Sequence, residues 1–124
     1  MADNSDTSEG DCRIEWKNPE PTLINGFEKL FRTQTLTDVT LSCQGSTINC
    51  HKIVILASSR MFEKHLLKTE CQNPIIEIDA GIQFEQLQRI LDYMYTGEVI
   101  VPESELVGFL QAAEKLEVKG IVRI

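Results

Sequence analysis

The stretch Leu36–Phe62, LTDVTLSCQGSTINCHKIVILASSRMF, decides the fold. Val39, Leu41 and Cys43 alternate with Thr40 and Ser42, the period-two pattern of a half-buried strand. Gln44-Gly45-Ser46 supplies turn chemistry, and Thr47-Ile48-Asn49-Cys50 can pair back as the second arm of a hairpin. That arm places Cys43 and Cys50 across from one another. His51-Lys52 and the apolar run Ile53–Ala57 predict a short helix over residues 52–57. Ser58 or Ser59 can cap a second over Arg60–Leu67. Two charged residues, Asp38 and Lys52, bracket the hairpin, readable as an ion pair or a cap that fixes how the hairpin meets the helix.

Downstream, Pro74-Ile75-Ile76-Glu77-Ile78-Asp79 reads as a compact strand ending at Ala80-Gly81. Gln83–Tyr95 is the clearest helix, with Phe84, Leu87, Ile90, Leu91 and Met94 on one face and Gly97 positioned as its left-handed C-cap. Glu98–Val101 reads as a short strand stopped by Pro102, Glu103–Leu116 as a helix, and Val118–Ile124 as the start of a terminal helix.

Upstream, Cys12-Arg13-Ile14-Glu15-Trp16 alternates apolar and charged residues and reads as a strand with no neighbour in sequence to pair with. A lone strand of this length is unstable, so it must join a sheet elsewhere or in another chain. Thr22 is the expected cap of a helix over Leu23–Thr33, with Pro21 near its start. Leu23, Ile24, Phe27, Leu30 and Phe31 form a wide apolar stripe on it, suited either to core packing or to a partner surface.

The chain has 124 residues, enough for one core, and a net charge of −7. Six acidic residues against Arg13 and Lys17 give residues 1–20 more than half of that charge, and residues 1–11 are expected to be a disordered acidic tail. An acidic balance argues against nucleic-acid contact by this segment, since phosphate binding requires a basic face. No apolar run approaches the length of a membrane span, and MADNSDTSEG lacks the pattern of a secretory signal. Cys12, Cys43, Cys50 and Cys71 lack metal-site spacing and read as reduced, buried thiols. Cys50-His51 lacks the third orienting group and cleft of a nucleophilic pair, and no phosphate loop, G-x-S-x-G or H-E-x-x-H occurs. The chain reads as non-enzymatic, with no cofactor.

The residues then carry a family resemblance. Leu36-Thr37-Asp38-Val39-Thr40-Leu41 followed by Cys50–Phe62 resembles the BTB (POZ) signature, L-x-D-V-x-L and A-H-[KR]-x-V-L-A-x-x-S-x-x-F, with Cys50 and Ile55 as mild apolar departures. Leu91–Val99 resembles its φ-x-Y-x-Y-T-G-x-φ block, and Leu110–Ile121 its L-x-A-A-x-x-L-x-I-x-G-L ending. Cys12–Asn18 with Leu23 resembles the L-R-W-N-N opening of the arthropod tramtrack/bric-à-brac subgroup. The resemblance implies an α+β fold over residues 12–124, a small sheet flanked by five to six helices, with an N-terminal strand exchanged between protomers.

It further implies homodimers or larger multimers, with Ile14 and Trp16 in the exchanged strand and Leu23, Phe27, Leu30 and Phe31 in the helix interface. Asp38 and Lys52 match the charged pair lining a pocket at the dimer centre, whose role is structural or peptide-binding; His51 is implied to secure a helix start. The partners so implied are the chain itself, other BTB domains, and corepressor or architectural proteins, in the nucleus. The family resemblance also admits an alternative, the substrate adaptor of a cullin-RING ubiquitin ligase. Its φ-x-E motif is absent at the expected spacing, since Glu70 stands three residues after Leu67.

Overall fold

In the computed structural model, which describes residues 10–122, the hairpin forms as the alternation requires. Strands β1 (Val39–Cys43) and β2 (Ser46–Cys50) are antiparallel and joined by Gln44-Gly45, both at positive φ. That is the twist a two-residue hairpin loop demands. The register pairs Val39 with Cys50 and Cys43 with Ser46, so the two cysteines lie at opposite ends of the hairpin, not across from one another. Strand β3 (Ile75–Glu77) adds parallel to the other edge of β1, giving the order β2-β1-β3.

Helices α2 (Lys52–Ser58) and α3 (Arg60–Leu67) carry the chain from β2 to β3. Ser59 separates them: its hydroxyl accepts from Phe62 N and donates to Leu116 O, capping α3 while tying it to the C-terminal part of the fold. Helix α4 (Phe84–Thr96) buries Leu87, Ile90, Leu91 and Tyr95, and ends on Gly97 at φ 88°, whose N–H donates to Tyr93 O. Residues expected to begin the next helix form a 3-10 turn, Glu103–Glu105, before α5 (Leu106–Lys115). The core gathers Leu41, Ile55, Phe62, Leu87, Ile90, Leu91, Phe109 and Leu116 between the sheet and these helices.

Several expectations are corrected. Helix α1 runs Pro19–Arg32; Thr22 does not cap it but donates from within the first turn to Asn18 O. Pro19 and Pro21 both sit where the helix has no N–H to use. Cys12–Trp16 and Glu98–Val101 form no strand, because neither meets a sheet edge within the single chain. The terminal helix is also absent over the described residues. Glu117 at φ 52° breaks from α5, and Val118 bridges antiparallel to Ser59, with Lys119 N donating to Ser58 O. Cys43 and Cys50 are buried, but Cys12 and Cys71 are exposed. Of the expected acidic tail, residues 1–9 lie outside the described residues.

Candidate self-association face

Helix α1 is fastened by its last turn. Phe31 is buried and stacks on the Tyr95 ring of α4, with centroids 4.2 Å apart and planes at 13°. Arg32 pairs with Asp92 of α4 at 3.0 Å, and the Gln34 amide donates to Phe31 O and Asn49 O. Phe31, implied by the resemblance for the helix interface, is thus packed against its own chain. The remaining apolar residues grade outward. Phe27 and Leu30 are half-buried, whereas Leu23 and Ile24 are exposed. Ahead of the helix, Ile14 is 91% and Trp16 58% exposed. Both stand on a segment that pairs with no strand among the described residues.

His51 joins the hairpin end, the loop after α1, and α4. Its Nδ1 lies 2.6 Å from the Tyr95 hydroxyl and its Nε2 2.7 Å from Thr35 O. A carbonyl can only accept, so Nε2 carries the proton, and Nδ1 accepts from Tyr95. The same hydroxyl accepts from His51 N at 2.8 Å, which closes the network. Both imidazole nitrogens are thus occupied in a buried position, a structural role. Burial, reinforced by the charge of Asp38, pushes the Cys50 thiol up to about 12. A thiol held protonated at neutral pH is a poor nucleophile.

The bracket of Asp38 and Lys52 resolves differently from an ion pair. Asp38 Oδ1 accepts from Lys52 N at 2.7 Å, capping the first turn of α2 from the position just before β1, while Asp38 N donates to Cys50 O. Lys52 Nζ instead donates to Cys71 O at 3.2 Å. His51 is N-cap by position but turns its ring away, so Asp38 supplies the cap. The structure brings Asp38, Lys52 and His51 to one junction, but does not bring Ile14 and Trp16 onto any element.

Two exposed residues were missed by the sequence reading. Leu36 is 78% and Ile53 64% exposed, and they flank this junction. The signal existed: Leu36 stands between a helix end and a strand, where no periodic face can bury it. Also missed was Arg89, which grips Glu105 with two bonds of 2.9 and 3.1 Å and fixes the 3-10 turn against α4. That contact holds Glu105 below the usual carboxylate range. Among the described residues no group of three or more His, Cys, Asp or Glu could hold a metal ion, and no helix is long and apolar enough to cross a membrane.

Comparison with known proteins agrees with this architecture. A family model of the BTB/POZ domain matches residues 27–124. The chain is similar to Protein jim lovell of Drosophila melanogaster, 37% identical over 109 residues, covering 88% of this chain and 10% of that protein. It is 33% identical to Protein bric-a-brac 2 of the same organism over 111 residues, covering 90% of this chain and 10% of the relative. It thus spans only about a tenth of those two relatives, but 84% of Longitudinals lacking protein-like, to which it is 37% identical over 108 residues, 87% of this chain. The BTB domain of zebrafish PATZ1 superposes with a TM-score of 0.75 at 18% identity, covering 88% of this chain and 89% of that one, a likeness of fold. The chain belongs to the BTB/POZ family of protein-interaction domains, in its tramtrack/bric-à-brac subgroup.

Proposed function

We propose that residues 12–124 are the self-association domain of a nuclear transcription or chromatin-architecture factor, forming at least a homodimer and assembling further into multimers. The observation that carries this is the unpaired N-terminal segment with its exposed Ile14 and Trp16, leading into a helix whose first turns expose Leu23 and Ile24. Such a segment gains backbone partners and buries apolar area by adding to another copy. A receiving segment of matching character exists. Glu98–Val101 is unpaired, exposes Ile100 at 95%, and borders a groove lined by Val99, Val101, Leu106 and Phe109. Leu23, Phe27 and Leu30 then pack across the two-fold axis, and about 1,000 Å² buried per protomer would make the dimer obligate.

The reading assigns the domain no enzymatic activity and no cofactor. Its net charge of −7 leaves DNA contact to another part of the protein. Heterologous partners would be other BTB domains and corepressor or architectural proteins. Light scattering on the chain and on a version lacking residues 1–18 tests the proposal. The expected result is at least a dimer whose mass falls on deletion while the far-UV circular dichroism of the core persists. An unchanged mass would refute the exchanged-strand role, and robust capture of cullin would favour the ligase-adaptor class instead.

A further inference from the structure

Leu67 and Glu70 fail the spacing of the cullin-adaptor motif, and no role described so far uses either side chain. With Lys68 between them they make a different pattern: a large apolar residue, a lysine, any residue, an acid. Of the seven lysines in the chain, Lys68 alone stands in that pattern. Lys29, Lys64 and Lys115 each follow a glutamate, and Lys52 follows His51. Lys17 and Lys119 follow an apolar residue but have Pro19 and Ile121 where the acid would stand.

The fold presents all three of these side chains to solvent. Leu67, the last residue of α3, is 71% exposed, and Lys68 and Glu70 are exposed where the chain leaves the helix. Among the described residues neither the Lys68 amine nor the Glu70 carboxylate has a hydrogen bond or ion pair. Lys64 and Lys115, by contrast, meet Glu117 at 3.6 Å and Asp79 at 3.7 Å. Only Thr69, at the position the pattern leaves open, is engaged: its N–H donates to Leu66 O at 3.2 Å and its hydroxyl to His65 O at 2.9 Å. Both bonds lie at a helix end, where exchange for water is easy. Leu66 is the last buried residue of α3, so residues 67–70 can straighten without disturbing the core.

We propose that Lys68 is an acceptor for a small ubiquitin-like modifier, delivered as a thioester by a conjugating enzyme that reads the substrate's own residues. Drawn into the catalytic cleft of such an enzyme, the tetrapeptide makes three contacts. Leu67 packs on an apolar surface, Glu70 pairs with basic side chains, and Lys68 reaches the thioester between them. The Lys68 amine, in its neutral form, attacks the carbonyl carbon of the modifier's C-terminal residue; the C–N bond forms and the C–S bond breaks. The enzyme's cysteine leaves as a thiolate and takes up the proton that the new amide nitrogen gives up, so no oxidant or reductant enters. Recognition by the residues around the lysine is what separates this modifier from ubiquitin, whose ligases dock elsewhere on the substrate. Residues 67–70 lie outside the face assigned above to self-association, so Lys68 stays accessible in an assembly.

The test is reconstituted conjugation of the 124-residue chain with activating enzyme, conjugating enzyme, modifier and ATP, read by gel shift and by mass spectrometry of the branched peptide. One modifier per chain is expected, on Lys68. Lys68→Arg keeps the charge but offers no amine that can be acylated, and should abolish the shift. Glu70→Ala leaves the lysine and removes one charge-assisted contact, so the initial rate should fall about tenfold. Lys64→Arg, at an exposed lysine one turn earlier on α3, should conjugate at the wild-type rate. All three changes fall on exposed positions, and circular dichroism checks that the fold persists. A wild-type chain left unmodified while a control substrate is consumed would overturn the assignment. So would a shift that survives Lys68→Arg, or a rate indifferent to Glu70→Ala. Acylation of Lys68 by ubiquitin with its own enzymes, and not by the small modifier, would overturn it as well.

Discussion

Tyr95→Phe is the sharpest probe of the junction that orients α1. The Tyr95 hydroxyl serves His51 twice, accepting from its backbone N–H at 2.8 Å and donating to Nδ1 at 2.6 Å. Both residues are buried, at 3% and 6% exposure, so the abandoned groups have no path to bulk water. A buried polar group left without a partner costs about 1–3 kcal/mol, and two are abandoned here within one network, where costs add incompletely, so the substitution should cost about 2–5 kcal/mol. The ring is retained, and with it the stacking on Phe31, so no cavity contribution enters. For a domain of this size about 4 °C of melting temperature is lost per kcal/mol, which sets the expected drop at roughly 8–20 °C. Urea unfolding should be followed at one fixed protomer concentration, because self-association shifts apparent stability by mass action. Adding His51→Phe to Tyr95→Phe should cost less than the sum of the two single changes, since both break one network. A Tyr95→Phe penalty under about 0.5 kcal/mol would mean that the hydroxyl bonds contribute little, and would refute this account of the junction.

The parts of the fold legible in sequence are those whose partners lie nearby in the chain. Alternation over Val39–Cys43, the Gln44-Gly45 turn and the apolar run after Lys52 gave the hairpin and α2 directly, because each element's complement follows at once. Helix α4 was legible for a related reason: its period and Gly97 are local. Cys12–Trp16 and Glu98–Val101 show where pattern stops being enough. Alternation reports a segment fit to be half-buried in a sheet, and says nothing about which chain supplies the neighbour. The stripe on α1 was ambiguous in the same way. Leu23 and Phe31 look equivalent by spacing, yet only the last turn meets Tyr95, which approaches from more than sixty residues away in sequence. The Asp38–Lys52 bracket was readable as an ion pair or a cap, and the structure takes the second, a carboxylate on a backbone N–H, a choice that the charge pattern alone does not make. The exposure of Leu36 was legible from its place between a helix end and a strand, but its left-handed φ was not, since that is set by the loop's anchors and not by the residue.

Phe27→Asp should give insoluble or unfolded protein, because it sets a charge on a half-buried position packed against the core and, on the proposed reading, inside the dimer interface. A soluble, folded assembly from that variant, identified by light scattering, would show the helix face to be misassigned. Alkaline pH tests the buried side of the hairpin. Burial first, and then the Asp38 charge, raises the Cys50 thiol from 9.0 to about 12, and burial likewise raises the Tyr95 hydroxyl above its ordinary 10.0. Both groups stay neutral in the folded chain at a pH where the unfolded chain has released the proton. The unfolded state therefore binds fewer protons, and stability falls as pH rises. It should be fully present below pH 9.0, the ordinary thiol value, and decline through the interval that ends near 12. The Cys50 slope is about 1.4 kcal/mol per pH unit, and the slope about doubles once the unfolded tyrosine begins to ionise. Urea midpoints for the wild type and Cys50→Ala decide the matter. The variant should lose the part of the decline that begins with the thiol and keep the part that begins with the phenol. A wild-type midpoint unchanged from roughly pH 8 to 10.5 would mean that both groups ionise as freely in the folded chain as in the unfolded one, and so that the hairpin end and the Tyr95 junction admit water.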